Sequence, residues 1–72
     1  MKMQLVVLHM LEGMGYRSLQ VEDKSEEAYY YSAANKDGDS VTVKVVIDDE
    51  MTYDDWSVFE QHEGECNWKI VR

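Results

Sequence analysis

The chain has 72 residues, 15 of them acidic and 7 basic, with a formal charge of -8, one cysteine and no proline. That length makes a single domain, residues 1–72, with a radius of gyration near ~11 Å. Such a domain buries only about 60% of its unfolded surface, which leaves little room for a deep active site beside a cofactor pocket. The charge speaks against binding nucleic acid or an anionic membrane through a basic face, because neutralising phosphates takes clustered Lys and Arg.

Cys66 has no second cysteine to pair with, and small secreted domains usually need several disulfides. The apolar run at residues 3–14 follows Lys2 in the manner of a signal peptide. Gln4, His9 and Glu12 interrupt it, however, and no small-residue cleavage site comes after it. It is also shorter than the ~20 apolar residues of a membrane span. These features predict a reduced, cytoplasmic protein without a membrane partner.

The first predicted element is a helix over residues 2–14. Met3, Val7, Met10 and Met14 form one stripe flanked by Leu8 and Leu11, and Gly13 and Gly15 supply the stop. From residue 16 the period changes to two. Arg17, Leu19 and Val21 alternate with Ser18, Gln20 and Glu22 in a first strand that ends at the charged turn Asp23, Lys24, Ser25 and Glu26. Residues 27–34 make a tyrosine-rich second strand, closed by the turn cluster from Asn35 to Asp39. Residues 40–48 are the clearest strand. Val41, Val43, Val45 and Ile47 face one way, and Thr42, Lys44 and Val46 face the other.

A second short helix is predicted next, opened by the capping pair Thr52 and Asp55 and stopped at Gly64. Asp54 and Asp55 would complement its dipole, and Tyr53, Trp56 and Phe59 would share a face. Residues 66–71 form a final strand, with Cys66 as a small buried residue in it. The predicted order is α-β-β-β-α-β. This describes an α+β domain, a mainly antiparallel sheet with two helices on one face.

Three chemical signals stop short of a site. A helix ending in "LEGMGY" followed by strands containing "DGDSVTVK" resembles the opening of restriction-endonuclease-like nucleases, with Asp39 and Lys44 in two of the places of the metal-binding motif. The acid two residues before the lysine is replaced by Thr42, which removes a metal ligand. Asn35, Asp37 and Asp39 alternate like calcium ligands, but an EF-hand needs glutamate at the twelfth position, where Val46 stands. His62 and Cys66 lie four apart, but a zinc site built on them would have to recruit carboxylates. The sequence therefore predicts no enzyme, no metal and no cofactor.

The acids are clustered. Glu22, Asp23, Glu26 and Glu27 surround one turn, and Asp48, Asp49, Glu50, Asp54 and Asp55 fall within eight residues. Carboxylates two apart on a strand are separated by roughly 6.6 Å, a spacing suited to a basic groove that follows a phosphate backbone. Dense like charge also opposes folding through self-repulsion. Solubility alone is the competing explanation.

As a short, acidic, single-domain chain without catalytic residues, the protein resembles the small phage inhibitors of bacterial defence, anti-CRISPR proteins in particular. The resemblance is one of whole-chain profile, in size, charge and α/β make-up, and no motif carries it. It implies a non-enzymatic inhibitor in the host cytoplasm, with a basic nucleic-acid-binding complex such as a CRISPR effector as partner. The two acid clusters are the partner-binding candidates, and a monomer is expected. An antitoxin or immunity-type protein plugging a basic toxin would use the same acids. A small interaction domain would instead use Tyr29 or Tyr31 and the last strand as a sheet edge.

Overall fold

The alternating valines in the middle of the chain organise the rest. The computed structural model describes residues 3–52 and 55–72. Strand β3, Ser40–Val46, turns Val41, Val43 and Val45 inward, each at most 4% exposed, and Thr42 and Lys44 to the opposite face. It pairs antiparallel with β2, Ala28–Ala34, on one side and with β4, Val58–His62, on the other. Strands β1, Arg17–Lys24, and β5, Lys69–Ile70, form the two edges. The five run in the order β1-β2-β3-β4-β5, every neighbouring pair antiparallel. The radius of gyration is 11.3 Å.

The helix α1, Met3–Gly13, covers one face of this meander. Val7 and Leu11, four residues apart and fully buried, meet Tyr31, Val43, Val45, Trp56 and Val58. Leu8, Met10 and Met14 pack around them, whereas Leu5 is exposed. Among the described residues no helix is long and apolar enough to cross a membrane.

Gly15, rather than Gly13, ends the helix. The Tyr16 amide donates to the Leu11 carbonyl at 3.2 Å, and the Gly15 amide donates to Glu12 at 3.1 Å. Gly15 sits at φ +103°. This is a Schellman cap, in which the left-handed residue lets two amides fold back onto the last carbonyls. The accompanying apolar contact is between Leu11 and Tyr16, both in the core. The cap therefore delivers the chain from the helix straight into β1.

The α+β class and the antiparallel sheet agree with the sequence reading, but among the described residues the second helix does not form. The Asp55 amide donates to the Thr52 carbonyl at 2.9 Å, while the Thr52 hydroxyl donates to the Asp55 carboxylate at 3.1 Å. A capping hydroxyl must accept from a helix amide; this one is used as a donor and closes a single turn. The Trp56 indole then donates to the Asp48 and Met51 carbonyls at 2.8 and 3.2 Å, which holds the loop against the core. Val58 onward pairs with β3, whose edge would otherwise lie open. Tyr53, assigned to the shared aromatic face, lies outside the described residues. The last strand is also shorter than predicted, and Cys66 is exposed ahead of it rather than buried within it.

Replacing Gly15 with alanine forces a side chain into the left-handed region and should lower stability by about 1–3 kcal/mol. Gly13 has open space around it and lies within the helix, so Gly13→Ala should be neutral or stabilising by about 1 kcal/mol. Urea melts of the two variants check the pair. Equal loss in both would show that the cap does not depend on residue 15.

Candidate functional site

The two acid clusters lie about twenty residues apart in the chain and meet at one end of the sheet. The β1–β2 connection is a tight turn built on Ser25. Its hydroxyl accepts from the Glu27 and Ala28 amides at 3.2 and 3.1 Å, and its own amide donates to the Ala28 carbonyl at 2.9 Å. That turn carries Glu26 and Glu27, with Glu22 and Asp23 on the strand before it. The chain leaving β3 reaches the same end, because Ala28 is the register partner of Val46. The Ile47 amide then donates to the Glu27 carbonyl at 2.8 Å, tying the second cluster to the first.

Within the second cluster the Asp48 carboxylate accepts from the Glu50 amide at 3.0 Å, and the Met51 amide donates to the Asp48 carbonyl at 3.1 Å. This Asx turn fixes the backbone that carries Asp48, Asp49 and Glu50. All the described acids of both clusters are exposed: Glu22, Asp23, Glu26, Glu27, Asp48, Asp49, Glu50 and Asp55. None of them has an ion-pair partner among the described residues. Asp54, the remaining candidate, falls outside them. The backbone is pinned by its own hydrogen bonds, and the charge is left facing solvent.

The other signals resolve differently. The Asn35 side-chain oxygen accepts from the Asp37 and Asp39 amides at 2.9 and 3.0 Å, so the calcium-like spacing is the skeleton of a turn. Gly38 completes that turn at φ +87°. Lys44 lies five residues along β3 from Asp39, about 16 Å at the rise of a strand, and faces away from the core. Its ammonium stands 5.6 Å from the Trp68 ring centroid and 6.0 Å from those of Tyr30 and Phe59. This lysine sits among aromatic rings on the uncovered face of the sheet, a cluster that the one-dimensional pattern did not suggest. Register partners Tyr30, Lys44 and Phe59 fall in one row across three strands. That row was the available signal, once the strand pairing is known.

His62 is directed to a carboxylate rather than to Cys66. Its Nε2 lies 3.0 Å from Glu60 Oε2, and the Tyr16 hydroxyl donates to Glu60 Oε1 at 2.9 Å. Burial pushes the Tyr16 phenol well above its ordinary value. The bond to Glu60 and that carboxylate's negative charge add to the shift. The phenol is thus held protonated, as a structural donor. Tyr31, named above as a possible edge contact, is fully buried in the core. Its own phenol is raised to about 12 by burial and by the charge of Tyr29. Comparison with family models, with curated proteins and with solved structures gives no match to this chain.

The raised phenols make the stability of the fold depend on pH in the alkaline range. An unfolded tyrosine loses its proton near 10.0, whereas Tyr31 in the folded chain keeps it to about 12. Between these values the folded state binds more protons than the unfolded one, so stability falls as pH rises. Below pH 10 the contribution is complete. Urea midpoints measured across this range should stay level up to pH 10 and then decline. Tyr31→Phe should show a shallower decline; a slope identical to that of the parent would assign the effect to other groups.

Proposed function

We propose that the protein is a non-enzymatic inhibitor that binds a basic nucleic-acid-binding protein and blocks its access to DNA or RNA. The single observation that carries this reading is the convergence of the two acid clusters, joined through the Ile47 to Glu27 backbone bond at 2.8 Å. Acids from separate segments brought to one end of the sheet on hydrogen-bonded turns form a partly preorganised array, which lowers the ordering cost of binding. Their mutual repulsion is relieved when a partner's Lys and Arg neutralise them. Such an array resembles a phosphate backbone in charge density, and association with it is fast and weakened by salt. The anti-CRISPR profile of the whole chain points the same way and suggests an effector complex in the host cytoplasm as the target.

The test is capture of partners from bacterial lysate on the tagged protein at low and high salt, with identification by mass spectrometry. A nucleic-acid-binding complex held at low salt, released at high salt and displaced by added DNA supports the reading. Recovery of a basic toxin would instead favour an immunity-type role. The variant carrying Asp48→Asn, Asp49→Asn and Glu50→Gln keeps an oxygen acceptor at residue 48 for the Asx turn. It should fold normally and bind the captured partner at least about tenfold more weakly. Affinity unchanged in this variant, or a partner indifferent to salt, would overturn the mimicry.

A further inference from the structure

The opposite end of the sheet carries a cleft of about 670 Å³ between the C-terminal half of α1 and the start of β1. That volume is in the range of small-molecule sites. Leu8 and Leu19 form apolar walls, Glu12 lies one helical turn beyond Leu8, and Arg17 and Lys36 supply positive charge. Neither cation has an ion-pair partner among the described residues. The cleft lining thus holds two cations against one acid, in a chain whose net charge is -8. Strand β2 separates this end from the acid clusters by roughly 20 Å, at ~3.3 Å per residue. That is more than twice the Debye length of ~8 Å at physiological salt, so the distant acids leave the local charge of the cleft largely unaltered.

The backbone here departs from a regular strand. Arg17, Ser18 and Leu19 all line the cleft, although successive residues of a strand point to opposite faces. A bulge makes this arrangement possible: the register with β2 shifts between Arg17 and Gln20, and Ser18 takes φ +55°. Bulges of this kind redirect side chains beside binding sites, and a left-handed serine persists only where its surroundings hold it. Gly15 enters as well. Its φ of +103° turns the chain out of the helix beside the β2–β3 turn, where a Cβ at residue 15 would make ordinary van der Waals contact with Lys36 Cβ at 3.5 Å.

We propose that this cleft binds a small amphiphilic oxyanion, a carboxylate or phosphate monoester on a short apolar body. Arg17 and Lys36 hold the anionic head, the Ser18 hydroxyl donates to it, and the body lies between Leu8 and Leu19. Arginine pairs with such heads through two parallel hydrogen bonds, and lysine acts as a point charge. The site is independent of the acidic surface.

Titration of the nitrogen-15-labelled protein at constant ionic strength tests the assignment by amide chemical shifts. The probes are phenyl phosphate, benzoate, inorganic phosphate and benzyl alcohol. Phenyl phosphate or benzoate should give saturable shifts at Gly15, Arg17, Ser18 and Lys36, and the tighter of the two identifies the preferred head. Inorganic phosphate should bind more weakly for want of the apolar contact, and benzyl alcohol should leave the spectrum unchanged. Arg17→Gln and Lys36→Gln, both at exposed positions, should each weaken binding about tenfold. Three results would overturn the proposal: no saturable shift with either aryl anion, equal affinity in parent and both variants, or equal binding of inorganic phosphate and phenyl phosphate.

Discussion

Among the described residues α1 is the one helix laid against the five-stranded sheet, it covers one face, and β3 decides which. Val41, Val43 and Val45 alternate with Thr42 and Lys44, so a one-residue slip would present three valines to water and bury a lysine. At about 25 cal/mol per Å² of apolar area, exposing even part of that surface outweighs the few kcal/mol by which small domains are stable. The helix answers with Val7 and Leu11, and its Schellman cap fixes where β1 begins. Everything further out follows from this seam. With β2 and β4 registered on β3, the turn after β1 and the loop after β3 must emerge at the same end.

The charge distribution is a consequence of that register. Like charges crowded at one end cost stability, and the fold tolerates them by pinning the backbone beneath them with Ser25 and Asp48. Polar groups near the core are treated differently. Glu60 and His62 fall on the helix side of β4, with side chains 15% and 28% exposed, and are satisfied by one another and by Tyr16. The uncovered face keeps Lys44 among three rings, where the ammonium is attracted to the ring faces and the alkyl stem covers apolar surface.

How far the sequence discloses this structure depends on where each residue's partner lies. The helix stripe, β3 and the Asn35 turn are legible because their determinants are local: a period of 3.6, a period of two, and a side chain bonding amides two and four residues ahead. Strand β4 is not legible. Of the residues it turns toward the helix side, only Val58 is apolar; Glu60 and His62 break the alternation, because their partners lie on the neighbouring side chain and on Tyr16, far away in sequence. What remained visible was the spacing of Tyr53, Trp56 and Phe59, which imitates a helix face. The acid clusters can be read as two segments, whereas their union at one end requires the pairing of Ala28 with Val46. The cleft has no sequence signature, since the bulge that forms it turns on an ordinary serine.

The two cations at the cleft have a competing explanation in the helix itself, whose C-terminal end is partially negative and attracts positive charge. Capping chemistry limits that explanation. The carbonyls of Met10, Leu11 and Glu12 already accept from the amides of Met14, Tyr16 and Gly15. What is left for Arg17 and Lys36 is a screened, surface-exposed attraction worth about 0.3–1 kcal/mol. A distorted residue such as Ser18 costs on the order of 1–3 kcal/mol, more than the dipole returns. A regular β1 would keep the dipole's benefit without the strain. The dipole therefore does not account for the bulge, whose effect is to bring Arg17, Ser18 and Leu19 onto one cleft.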